Sequence, residues 1–359
     1  MKKIITLLEI CQPIGYFYVG KIDSSTLSSI SYVKTRKITE GVSEGTQREL
    51  DSARVKAISQ YCEDPDATFP TPFVLAINSN DILHFEEENG IFRMEFDDNR
   101  KIAEIIDGQH RIEGIKANKQ FNTELMIVIM FDLTSEEKAY VFSTINSNQR
   151  TVPKSLIYDL FEVSNNRSPY KTCHEIARIM NSSSNSPFFK RLKMLGRKES
   201  ENEILSQGAF VSHLLTLITD NADKDTILIK NREILRPNEN KIFRRYFIKD
   251  EDQIILRILY NYFGAIKEVF YEEWTNPESI FVKTTGFGGF IKSLPAYYKA
   301  GLDAGNLSRE FFLTQMIEAK KHIQDEKIEF TLNEFGSSES GQKKFSEHFK
   351  PRNKKTNKE

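Results

Sequence analysis

"EIIDGQHRIEGI", residues 104–115, is the stretch from which the fold is read. An apolar run stops at Asp107-Gly108. Gln109, His110 and Arg111 follow, and then Ile112 and Ile115 recur at helical spacing. A strand that breaks at Asp-Gly and feeds straight into a helix is one β–α unit. The turn between them leaves the first N–H groups of the helix without partners in the helix.

Similar units lie on either side. Upstream, "YFYVGKI" (16–22) and "TPFVLAIN" (71–78) read as strands, and the "MKKIITLLEICQ" start reads as a first strand because Glu9 and Gln12 interrupt it. Between them Val55, Ile58 and Tyr61 or Cys62 form one apolar helical face, with Asp51 as N-cap and Pro65 closing the segment. The Glu-Asn-Gly turn between "ILHF" and "IFRMEF" predicts a hairpin. Downstream, "TELMIVIMFDL" (123–133) is an interior strand, and "TSEEKAYVFSTINSN" (134–148) is a helix capped by Thr134 or Ser135, with Val141 and Ile145 on its buried side.

Beyond residue 160 the periodicity is mostly helical, with Phe270, Tyr271 and Trp274 expected to pack that region. "KTTGFGGFIKSL" (283–294) reads as a glycine loop, and the end from Gly341 as a basic tail. The expected fold class is therefore an α/β (α+β) N-terminal domain followed by a mostly α-helical region. The expected domains are 1–160, 161–335 and a basic, flexible tail at 336–359.

The 359 residues are 39% hydrophobic and 28% charged, an ordinary globular balance. No apolar run approaches the roughly 20 residues of a membrane span. Three widely spaced cysteines, Cys11, Cys62 and Cys173, offer neither a disulfide framework nor a metal pair, which points to a cytoplasmic setting. A formal net charge of −1 gives no global attraction to nucleic acid, so any such contact needs a local patch.

The chemistry of the turn suits a phosphate. Backbone N–H groups and the helix dipole favour an anion, and Gly108 admits close backbone approach. Arg111 offers a bidentate grip, His110 a donor or proton shuttle, and Asp107 a ligand for magnesium or an orienting partner for a neighbouring side chain. The competing reading is an ordinary Asp-Gly turn with a solvated arginine. A second polar cluster, Asn146, Asn148, Gln149 and Arg150, ends the helix before Pro153 and is placed to face the first turn. Its plain reading is a helix C-cap. Gln47, Arg48 and Arg54 flank the first helix within reach of the cleft, and their plain reading is solvated side chains. His174 and His213 read as structural histidines.

"IIDGQHRIEGI" resembles the signature of the DGQHR-domain family, which includes DndB- and DpdB-like DNA-modification proteins. The order "ARVKAISQYC", "FPTPFVLAI", "IIDGQHR", "MIVIMFDLTSEEKAYVF", "NSNQR" is similar to that of the ParB/sulfiredoxin superfamily over roughly residues 10–160. The resemblance implies a nucleoside triphosphate cradle. Gly108, His110 and Arg111 would take phosphate, and Gln149 and Arg150 would match the second box. Asn146 stands where that box has Glu, Ser147 where it has Asn, and Asn148 fills its variable slot. Gln109 stands where the sulfiredoxin branch has cysteine, so no thiol nucleophile is available there.

The expectation is a nucleotide-binding, ATP-hydrolysing component of a bacterial DNA-modification system, acting with Mg2+ and a partner modification enzyme. Asp107, His110 and Arg111 are its candidate catalytic residues. Its nucleotide contacts are Gly108, Gln109, His110, Arg111, Asn146, Asn148, Gln149 and Arg150. The alternative is a non-enzymatic DNA-binding transcriptional regulator of the modification genes.

Overall fold

The chain starts with two long strands joined at a tight turn, β1 (Lys2–Gln12) and β2 (Gly15–Asp23). A computed structural model describes residues 1–34, 37–39, 42–44, 50–147, 155, 167–194, 200 and 202–351. It divides into two units, Met1–Thr151 and Val152–Glu359.

In the first unit β1 and β2 lead to helix α1 (Ser24–Ile30), strand β3 (Ser31–Tyr32) and a small hairpin, β4 (Lys37–Thr39) with β5 (Val42–Glu44). Helix α2 (Ser52–Tyr61) follows, then strands β6 (Phe73–Ile77), β7 (His84–Glu88), β8 (Ile91–Asp97) and β9 (Ala103–Asp107). Helix α3 (Gln109–Ala117), strand β10 (Glu124–Phe131) and helix α4 (Ser135–Ser147) complete it. Among the described residues the large sheet has the order β3-β9-β6-β10-β2-β1-β8-β7, so β3 and β7 are its outer strands.

Local chemistry explains these elements. The β7–β8 hairpin turns at Asn89 (φ 55) and Gly90 (φ 78), the two positive-φ positions that an Asn-Gly turn supplies. Asp51 caps α2 by accepting from the Ala53 and Arg54 N–H groups. Thr134 and Glu137 form a reciprocal capping box at the start of α4. Every residue of β6 is buried, which is why "FVLAI" is apolar throughout. One face places Phe73, Leu75 and Ile77 in the core with Leu27, Ile112 and Ile115 of the helices. The other places Val74 and Ala76, with Ile106, against Val141, Phe142 and Ile145 of α4.

The second unit is mostly helical: α5 (Pro169–Ser182), α6 (Gln207–Leu215), α7 (Ala222–Lys230), α8 (Arg244–Ile248), α9 (Asp252–Val269) and α10 (Tyr271–Thr275). It continues with α11 (Thr284–Asp303), α12 (Arg309–Asp325), α13 (Leu332–Phe335) and α14 (Glu339–Glu347). A two-strand pair, β11 (Leu192–Lys193) and β12 (Leu205–Ser206), precedes α6. Its core is rich in rings, with Phe263, Phe281, Phe287, Phe290 and Trp274 nearly fully buried.

The expected glycine loop at 283–294 is corrected here. It is the start of α11, and its glycines are packing positions. A Cβ at Gly289 would collide with Phe345, and one at Gly288 with Gln342, so the bare helix face lets α14 lie close. The stretch from Gly341 also differs from a tail. Phe345 and Phe349 are fully buried, because an amphipathic helix hides its rings however basic its other face is. Tyr271 is exposed, whereas Phe270 and Trp274 pack as expected.

Among the described residues, no helix is long and apolar enough to cross a membrane.

Candidate functional site

Strand β9 runs antiparallel to β6, which pairs in parallel with β10, so Asp107 lies beside Val74 at the start of β6. The chain then turns at Gly108, whose φ of +105° is outside the comfortable range of any L side chain. Gly108 is the N-cap of α3 and brings no capping side chain of its own. The opening turn of α3 therefore has the electropositive character of a helix start.

Arg111 lies one turn into α3, and its two terminal nitrogens point back across the strand end. Nη1 donates to the Thr71 carbonyl at 2.9 Å and to Thr71 Oγ1 at 2.7 Å. Nη2 donates to the Pro72 carbonyl at 3.1 Å and to Asp107 Oδ2 at 2.6 Å. The guanidinium carbon sits 4.4 Å from the centre of the Phe73 ring. Both members of the Arg111–Asp107 pair are largely buried, with side chains 20% and 27% exposed. Stripping the arginine away would leave the part-buried Pro72 carbonyl and Asp107 carboxylate without this donor, at about 1–3 kcal/mol for each acceptor left unsatisfied, whereas the exposed Thr71 groups can bond water.

His110 points the other way, towards α2. Its Nε2 accepts the Asp51 N–H at 3.1 Å. The ring proton is therefore assigned to Nδ1. Partial burial and the Arg54 charge hold the His110 pKa below its ordinary 6.5, against an opposing pull from Asp51. Gln109, between them in sequence, is buried.

The structure thus brings Asp107, Gly108, His110 and Arg111 together at one sheet end. It adds Asp51, read from the sequence only as a helix N-cap, and Thr71, Pro72 and Phe73, read only as the start of a strand. A signal for the last three was present: a proline just before a strand leaves neighbouring carbonyls outside the ladder, available to a donor. Helix α4 approaches from the other face. Lys138 Nζ meets Glu104 Oε2 at 2.7 Å, and Val141, Phe142 and Ile145 pack over Val74, Ala76 and Ile106. Asn146 lies in the last turn of this helix. Asn148, Gln149 and Arg150, like Gln47 and Arg48, lie outside the described residues.

The remaining candidates hold structural positions in the second unit. His174 is fully buried and meets Gln207. His213 Nδ1 contacts the Ala209 carbonyl at 2.8 Å, and its Nε2 contacts Gln342 Oε1 at 3.2 Å. Among the described residues, no group of three or more His, Cys, Asp or Glu gathers in a way that would hold a metal ion. At the turn, Asp107 is the one carboxylate of the signature, and its Oδ2 is committed to Arg111.

No curated protein matches the chain. A family described as DndB, DNA-sulfur modification-associated, matches residues 8–207, a span that includes the whole turn and both helix starts beside it. That span is more than half of the 359 residues. The chain belongs to the DndB family of proteins associated with DNA-sulfur modification.

Proposed function

We propose that the β9–α3 turn is a nucleotide-phosphate site, and that the protein serves DNA-sulfur modification as an ATP-hydrolysing component beside a partner enzyme. The observation that carries this reading is the start of α3. A glycine with φ of +105° ends a buried strand and opens a helix with no capping side chain at that position. Such a helix start favours an anion through its N–H groups and its dipole. Tied beside it by His110 is the start of α2, where Arg54 is exposed. The similarity to the ParB/sulfiredoxin order, with its triphosphate cradle, supports the same assignment.

In this proposal the α3 amides hold phosphate oxygens and the neutral His110 ring donates from Nδ1. Magnesium needs only one or two carboxylates when it travels with a phosphate chain, and the donor set at the turn fits that need through Asp107. When bound, the ion would neutralise charge on the transferred phosphoryl group. The resemblance adds Asn146, Asn148, Gln149 and Arg150 as the second nucleotide box.

The test is a thermal-shift and phosphate-release panel on the full chain with ATP, AMP and inorganic phosphate, each with and without magnesium. Stabilisation should follow ATP over AMP and rise with concentration. Absence of any nucleotide effect, together with a salt-sensitive shift of duplex DNA, would replace this reading with the DNA-binding regulator.

A further inference from the structure

The geometry points to a positioning role for Arg111: it holds the phosphate turn in shape by clamping it to the strand entry at Thr71-Pro72, and does not itself contact the phosphate. The inference rests on the reading of the turn as a phosphate site, and it divides the labour within that site. The terminal nitrogens of Arg111 make four hydrogen bonds, all to Thr71, Pro72 and Asp107. Its planar face lies on Phe73. Gly108 belongs to the same assembly. A Cβ there would stand 2.6 Å from Phe73 Cδ1 and 3.2 Å from Arg111 Nη2, so the ring edge and the guanidinium already fill the space that the glycine vacates. Asp107, Gly108 and Arg111 therefore form one braced corner with Thr71, Pro72 and Phe73. The groups left to meet a phosphate are the first amides of α3 and the Nδ1 edge of His110, while Asp107 keeps its assignment to magnesium.

A phosphate-contacting arginine and a brace respond differently to substitution. Lysine keeps the positive charge but cannot reproduce a planar fork bonded on both arms. Arg111→Lys should therefore weaken ATP binding on the order of tenfold, as Arg111→Ala does, because outer supports of a site carry effects of that size. Thr71→Val, which changes no charge, should weaken binding in the same direction. A contact role predicts the reverse: near-wild-type binding by Arg111→Lys, a large loss in Arg111→Ala, and no effect of Thr71→Val. That outcome would overturn the inference.

If the wild-type chain binds no nucleotide, the phosphate reading fails and the brace is decided without ligand. Hydrogen exchange at residues 108–112 should then quicken in Arg111→Lys and in Thr71→Val, with the double variant no faster than the faster single one. Independent, additive effects, or none, would refute the brace.

Discussion

At the residue scale, the signature is a joint whose side chains face three ways. Arg111 turns to the Thr71-Pro72 carbonyls, His110 to the start of α2, and Gln109 into the core. His110 gives the joint a pH dependence with a definite sign. Its folded pKa lies below 6.5, so the unfolded chain takes up the proton first as pH falls. The stability that depends on the neutral ring is present above pH 6.5 and is lost as pH falls below that value towards the folded pKa. Protonation also removes the lone pair that accepts the Asp51 N–H, loosening α2 from α3. The fall in melting temperature between pH 7.5 and 5.5 should shrink in His110→Gln. An identical fall in both proteins would show that the imidazole carries none of it.

At the element scale, the sheet unit was more legible than the helical one, for a physical reason. Asp51, Asn89-Gly90 and Thr134 act on backbone within three residues of themselves, so their meaning is local and readable. Of the partners of Arg111, Thr71 and Pro72 lie about forty positions upstream, and the antiparallel pairing of β9 with β6 brings them close. The glycines of α11 misled for the same reason. Their low helix propensity is local, whereas the neighbour that requires them, α14, is some fifty residues away. This yields a test in which the sign is informative. In an open helix, glycine to alanine gains about 1 kcal/mol. At Gly289 the added methyl meets Phe345, so Gly289→Ala should instead cost about 1–3 kcal/mol. The urea midpoint reads this directly, and a rise would show that α14 yields without cost.

At the scale of the whole molecule, two cores are built on different principles. The N-terminal one is mostly aliphatic in its fully buried part and layered on a sheet; the C-terminal one is a mesh of rings that includes Phe263, Phe281, Phe287 and Phe290. Trp274, 1% exposed and donating to the Pro187 carbonyl at 3.2 Å, is a keystone of the second. Trp274→Ala should cost about 3–5 kcal/mol there. Protection of the amides at 108–111 by ATP and magnesium should survive the change. Loss of that protection would place the C-terminal core in the binding event. The sheet has one further consequence, set by its margins. At one margin β3 is only two residues long, and at the other β7 displays Glu86, Glu87 and Glu88 in succession. An outer strand is a template on which foreign chains can add, and brevity at one side and repulsion at the other both discourage that growth. The second guard is electrostatic, so concentrated salt or acid would weaken it while leaving the first untouched. Addition of foreign strands at β7 should therefore be promoted by concentrated salt, which screens its glutamate fringe, and by acid, which neutralises it.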